Sequence, residues 1–237
     1  MSVTRSLADA GAEAAGCVRC ALAKTRTQVV YGVGDPDADI MFIGEAPGFH
    51  EDKQGEPFVG AAGQLLTRLL DEELGLRRDQ VFICNILKCR PPGNRDPDPD
   101  EIEACTPWLV EQISIIQPRL IVTLGNFATK FVLQTTQGIT RVRGQVYAWH
   151  GRTVIPTFHP AAILHGGGEK SNAFGQMRED FQLVKRTLAA SAEAAAPPTP
   201  TTHPIPRPAP PAAPGAIARP DVIVTPDPDP DEQLELF

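Results

Sequence analysis

Ala38-Asp39-Ile40-Met41-Phe42-Ile43-Gly44-Glu45-Ala46-Pro47-Gly48 is the stretch whose reading decides the fold. The apolar run from Ala38 to Ile43 has the length and the Ile/Phe content of a buried strand, and it ends in a Gly/Pro turn that carries a carboxylate. Behind the turn come Glu51-Asp52 and Gly55-Glu56-Pro57-Phe58-Val59-Gly60, then a helical pattern from Ala61 to Leu74. Strand, Gly-rich turn and helix in this order form an α/β unit, and such proteins keep their ligands at the carboxyl ends of the strands. A second predicted strand, Thr153 to Phe158, delivers His159-Pro160-Ala161-Ala162-Ile163-Leu164 from its end. A carboxylate and an imidazole on two strand ends make a site for acid–base or electrostatic chemistry.

The chain has 237 residues, enough for one large domain or two small ones. Residues 1–193 carry the Val/Ile/Leu strands and amphipathic helices of a core-forming domain. From Ala194 the composition changes: 13 of the 24 prolines lie beyond it, with Asp-Pro repeats and almost no large apolar residues. Such a segment buries too little surface to offset its ordering entropy, so residues 194–232 read as a disordered, partly polyproline-II linker. Met1 to Gly16 has no apolar core of a signal peptide, and no run is long enough to span a membrane. A cytoplasmic, monomeric protein is expected.

The net charge of −7 argues against nucleic acid only weakly, because it is unevenly placed. Residues 195–237 hold two arginines against six carboxylates, so the core-forming part is near −3 and its local basic clusters matter more. Lys88, Arg90 and Arg95 form one; Arg141 and Arg143 a second; Lys170, Arg178, Lys185 and Arg186 a third.

Five cysteines stand at 17, 20, 84, 89 and 105. In a cytoplasmic chain they do not suggest a disulfide framework. Cys17-Val18-Arg19-Cys20 is a C-x2-C knuckle ahead of the first strand. Cys89 follows the predicted strand Gln80 to Leu87, and Cys105 falls on a predicted helix. Four thiolates from three segments suit a tetrahedral zinc or a [4Fe–4S] cluster, and spacing alone leaves both open. Cys84, inside the strand, reads as a small buried hydrophobe.

Taken in order, Cys17-x2-Cys20, Gly44-Glu45-Ala46-Pro47-Gly48, Glu51-Asp52, Gly55-Glu56-Pro57-Phe58-Val59-Gly60, Asn85, Lys88-Cys89-Arg90-Pro91-Pro92-Gly93-Asn94-Arg95, Cys105 and His159-Pro160-Ala161-Ala162-Ile163-Leu164 resemble the iron–sulfur uracil-DNA glycosylases of the bacterial and archaeal type, family 4. The resemblance runs from Cys17 to about Leu188. It implies a three-layer αβα sandwich around a central, mainly parallel four-stranded sheet. It also implies a [4Fe–4S] cluster on Cys17, Cys20, Cys89 and Cys105.

The same resemblance distributes the roles. Phe58 stacks on the flipped base, replacing the stacking lost from the duplex. Asn85 reads the uracil edge, donating to O4 and accepting from N3–H, and backbone amides of Gly44 to Ala46 contact the base. Glu51 crowds the C5 edge, where thymine carries its methyl. His159 donates to uracil O2 as negative charge develops there. Glu45 positions the attacking water and stabilises the oxocarbenium-like sugar. Leu164 is the candidate wedge for the gap in the duplex, and Lys88 and Arg90 are DNA contacts. The motif after Leu164 departs from the pattern: His165-Gly166-Gly167-Gly168-Glu169 replaces the Arg-Asn-Pro of many relatives, which implies weaker clamping of the duplex. Residues 86–104 contain no histidine, so no covalent adduct with the abasic sugar is expected.

Gln233-Leu234-Glu235-Leu236-Phe237 closes the chain as a compact apolar cluster after the linker. It resembles the short peptides that dock bacterial repair proteins on the sliding clamp, with Gln233 at the rim, Leu236 and Phe237 filling the pocket and Leu234 among the partner-binding residues. The sequence reading is therefore a monofunctional glycosylase that excises uracil from DNA on the nucleoid. The alternatives are a non-catalytic iron–sulfur clamp adaptor and a zinc-stabilised nucleotide hydrolase; the latter lacks any phosphate-cradling Gly-Lys motif.

Overall fold

The computed structural model describes residues 5–195; residues 1–4 and 196–237, and with them the clamp-peptide residues Gln233, Leu234, Leu236 and Phe237 and nearly all of the expected linker, lie outside the described residues. The elements are α1 (Leu7–Ala15), β1 (Val33–Gly34), β2 (Ile40–Gly44), α2 (Phe49–Gln54), α3 (Ala61–Leu69), β3 (Phe82–Asn85), α4 (Pro99–Ile116), β4 (Leu120–Leu124), α5 (Gly125–Leu133), α6 (Ile139–Val142), β5 (Tyr147–Trp149), β6 (Arg152–Thr157), α7 (Pro160–His165) and α8 (Asn172–Ala195).

The strands form one sheet in the order β1-β3-β2-β4-β6-β5. The expected four parallel strands are its centre: β3, β2, β4 and β6 pair in parallel. The sheet is nevertheless six-stranded, because β1 and β5 add antiparallel edges to β3 and β6. These edge strands are two and three residues long, too short to give a periodic signal in the sequence.

Every residue of β2 is buried. Ile40 and Phe42 face a core shared with Leu65, Leu66 and Leu69 of α3 and with Phe181 of α8, where Phe42 and Phe181 stack at 5.9 Å. Met41 and Ile43 face the other core, with Leu109 and Ile113 of α4 and Val132 of α5. Alternate side chains thus enter two apolar layers, which is why the strand reads as a continuous apolar run. Among the described residues no helix is long and apolar enough to cross a membrane.

The chain leaves β2 for β3 on one side and returns through α4 to β4 on the other. Such a reversal of strand order opens a crevice at the carboxyl ends of the strands. Gly44, Asn85 and the residues following Thr157 all stand there, the first two side by side in register.

Candidate active site

The crevice holds a cavity of about 390 Å³, whose lining includes Glu45, Glu51, Phe58, Asn85, Asn94, Arg95, His159 and His165. Gly44 admits the neighbours behind it. A Cβ there would lie 2.4 Å from Asn85 Oδ1 and 2.6 Å from the Phe58 ring, so only glycine lets the amide and the aromatic meet over the end of β2.

Asn85 is 2% exposed, and its Oδ1 has no hydrogen-bond partner. A buried acceptor left open in a cavity is costly unless a ligand fills it. Beyond Asn85 the strand pairing continues: Ile86 N–H donates to Gly44 O and Leu87 N–H to Glu45 O, both at 3.0 Å, which aligns the two strand ends.

Phe58 is buried in a left-handed conformation, φ 54°, between α2 and α3. Its ring lies 5.6 Å from the His159 imidazole, tilted by 33°. The loop is built from both sides. Glu51 Oε1 accepts from Val59 N–H and Gly60 N–H at 3.0 Å each, capping the start of α3. Arg78 donates to Pro57 O at 2.7 Å and Phe58 O at 3.1 Å. Gly63 in α3 lets the loop close, since a Cβ there would sit 1.7 Å from Phe58 O.

His159 is the N-cap of α7, with Pro160 at the first helical position. Ala161 N–H donates to its Nδ1 at 3.2 Å, which leaves the ring proton on Nε2. Burial lowers its pKa to about 4, with Glu51 opposing the shift, so the imidazole is neutral at physiological pH. Burial, reinforced by the charge of Asp96, raises the Glu45 carboxyl to about 7. Two groups in one cavity are thus pushed in opposite directions, the pattern of an acid–base or electrostatic site.

Lys88 is a correction. Expected on the DNA surface, it is 1% exposed and donates from Nζ to Asn85 O and Gln112 Oε1, each at 2.6 Å. In the sequence it forms a basic cluster with Arg90 and Arg95; the turn after β3 instead points this side chain inward. Arg90 is partly exposed, bonded to Asn94 Oδ1 at 2.6 Å and 5.1 Å from the exposed ring of Phe49. Leu164 is 41% exposed on α7 beside the buried Ile163. Other basic residues are engaged internally: Arg95 grips Glu101, Arg143 pairs with Asp180 and Arg178 with Glu73. Sequence reasoning missed Arg78 and His165. Arg78 acts from twenty residues away, which no local pattern encodes, whereas His165 follows Leu164 directly.

Cys17, Cys20, Cys89 and Cys105 line one apolar cavity, while Cys84 lies apart inside β3. Three of the four sulfurs accept hydrogen bonds, from Trp108 Nε1 to Cys17 (3.4 Å), Arg26 to Cys89 (3.6 Å) and Lys88 N–H to Cys105 (3.2 Å). Such donors stabilise thiolates. Among the described residues no three His, Cys, Asp or Glu side chains close around a single ion position.

Residues 31–182 match the family model described as the uracil DNA glycosylase superfamily. The chain is 50% identical to a type-4 uracil-DNA glycosylase of Sulfurisphaera tokodaii, over 73% of this chain and 80% of that protein. It is 52% identical to the type-4 enzyme of Thermotoga maritima (71% and 88%) and 48% identical to that of Archaeoglobus fulgidus (75% and 88%).

Proposed function

The chain belongs to the type-4 uracil-DNA glycosylases of the uracil DNA glycosylase superfamily, and from that membership we propose how its own residues divide the work. The protein is a DNA-repair glycosylase that hydrolyses the N-glycosidic bond of uracil in DNA and leaves an abasic site. The observation that carries the assignment of the pocket is the unpartnered, buried Oδ1 of Asn85, in one cavity with Phe58 and His159. Uracil N3–H supplies the missing donor, and the amide N–H2 turns to O4. Cytosine presents the opposite pattern and leaves the acceptor opposed to another acceptor. Phe58 takes the face of the base, and Glu51 stands on the wall assigned to the C5 edge.

As the glycosidic bond lengthens, charge develops on uracil O2 and on the sugar. His159 meets the former with Nε2–H as a neutral donor, so no positive charge has to be created or lost during the step. Glu45, in its ionised form, holds the water against C1′ and faces the cationic sugar. Arg90 and Leu164 are assigned to the DNA, the first to a phosphate and the second to the gap in the stack.

The four cysteines Cys17, Cys20, Cys89 and Cys105 are assigned to a [4Fe–4S] cluster. They share one cavity, three of the four sulfurs accept N–H donors, and the family resemblance favours the cluster over zinc. Cys17 and Cys20 after α1, Cys89 after β3 and Cys105 on α4 would hold the cluster, and the bound group would join these three segments. The terminal peptide Gln233 to Phe237 is assigned to the sliding clamp, which would keep the enzyme on nucleoid DNA.

The test is cleavage of a labelled oligonucleotide with one uracil, with alkali added after incubation. Alkali-dependent nicking at uracil alone, lost or greatly weakened in His159→Ala and Asn85→Ala, supports the assignment. Equal nicking by Asn85→Ala overturns the role of the amide. No nicking by cluster-loaded wild type would leave the clamp-adaptor alternative in place.

A further inference from the structure

Lys88 is the large buried cation that the excision chemistry does not use. Its Nζ donates to two neutral oxygens, Asn85 O and Gln112 Oε1, both at 2.6 Å, and also neighbours the buried Cys84 thiol. Gln112 is itself anchored, donating to Tyr31 O at 2.7 Å, and the ammonium lies 5.8 Å from the Tyr31 ring centre. The Lys88 backbone is fixed as well: its N–H meets Cys105 Sγ at 3.2 Å and its carbonyl accepts from Val30 N–H at 2.7 Å. A desolvated ammonium is expensive to keep in a core, and apolar residues of similar volume pack there at less cost. The side chain of Asn85, by contrast, has nothing bonded to its Oδ1. Its orientation depends on the backbone at the end of β3 and on the close approach of Gly44 and Phe58.

We propose that Lys88 is a positioning residue, which clamps the Asn85 peptide and ties the amide that reads uracil to the four-cysteine centre through Cys105 of α4. One residue donates from its main chain to a cysteine sulfur and from its side chain to the residue in the pocket. The cysteine centre and the base-reading amide are therefore mechanically joined over a span of three residues. Discrimination then depends on the cysteine centre without any participation of the cluster in the chemical step. The inference rests on the assignment of Asn85 as the uracil reader.

A double-mutant cycle with Asn85→Ala and Lys88→Met tests it. Lys88→Met keeps the stem volume and the N–H that meets Cys105, and removes only the ammonium. With the wild-type visible absorption retained, it is expected to lower kcat/KM on uracil DNA and to weaken inhibition by free uracil, each about tenfold. In the Asn85→Ala background the same substitution should cost almost nothing. Additive losses, unchanged inhibition by uracil, or loss of the visible absorption together with activity would overturn the proposal. If Lys88→Met does not fold, Gln112→Met unseats the ammonium from its far side and enters the same cycle. An inactive wild type would count against the glycosylase site itself; an active wild type with an additive cycle would count against Lys88 alone.

Discussion

Glu45 and His159 carry opposite burial shifts, and each leaves a signature in pH that the other does not share. The folded chain holds the Glu45 proton up to about 7, whereas an ordinary glutamate releases it near 4.5. Between those values the folded state binds the extra proton, so this group makes stability fall as pH rises. The His159 imidazole behaves inversely: ordinarily it protonates near 6.5, in the fold only near 4, so its contribution falls as pH drops through that interval. From 4.5 to 6.5 the two oppose each other, and above 6.5 Glu45 acts alone. Glu45→Gln is therefore expected to melt higher than wild type at pH 8, with the gain vanishing toward pH 4. The same variant should lose about a hundredfold or more in single-turnover rate, together with the rise in wild-type rate through pH 7. Thermal melts and single-turnover excision at pH 5 to 8 check both halves, and a melting difference that ignores pH would show that the buried charge is not the cause.

At the scale of elements, the site is three strand ends and the loop between α2 and α3. Glu51 is the joint of that loop, since one oxygen serves both Val59 N–H and Gly60 N–H at the start of α3. Removing a side-chain acceptor at a helix start costs about 1 kcal/mol. Glu51→Ala is expected to lower stability by about that amount and to slow uracil excision, as Phe58 loses its support, while Glu51→Gln keeps an oxygen in place and retains most of both. Melting curves beside excision of uracil and thymine decide the case. A gain of thymine cleavage in Glu51→Ala, without slower uracil cleavage, would mean the carboxylate acts on the C5 edge alone. Much of this architecture was legible in the chain. Because both faces of β2 are buried and the turn residues are local signals, the β2 strand is where the apolar run puts it, shifted to Ile40–Gly44, and the helix starts at Ala61 as expected but ends at Leu69. The edge strands were not legible, being too short, and neither was the Arg78 clamp on Pro57 and Phe58, which depends on tertiary proximity. Lys88 misled for a related reason: composition marks a lysine as a surface cation, and only the turn after β3 shows it facing Gln112.

For the whole molecule, the question is how a chain of net charge −7 binds a polyanion. Several of the basic residues that looked available are neutralised within the fold, by Glu101 on Arg95, Asp180 on Arg143 and Glu73 on Arg178. Arg90 differs. Its described partners are the neutral Asn94 and the exposed Phe49 ring, which also lies under Lys53 at 4.7 Å. Arg90 and Lys53 therefore stand as cations around one aromatic, and Arg90 bonds Asn94, which lines the cavity. Such a surface neutralises few phosphates, so affinity for uracil DNA should fall only gently with salt. Each phosphate contact contributes about −0.9 to the slope of log K against log salt on duplex DNA. Arg90→Ala is expected to make that slope shallower by about one and to weaken uracil and non-uracil duplexes alike. The rate of excision at saturating enzyme should be unchanged, because no atom of the cavity chemistry is removed. Fluorescence anisotropy from 50 to 300 mM salt (about the range in which such slopes are read), with single-turnover excision alongside, makes the comparison. An unchanged slope would move the phosphate contact away from Arg90, and a lower saturating rate would place that residue inside the catalytic pocket instead.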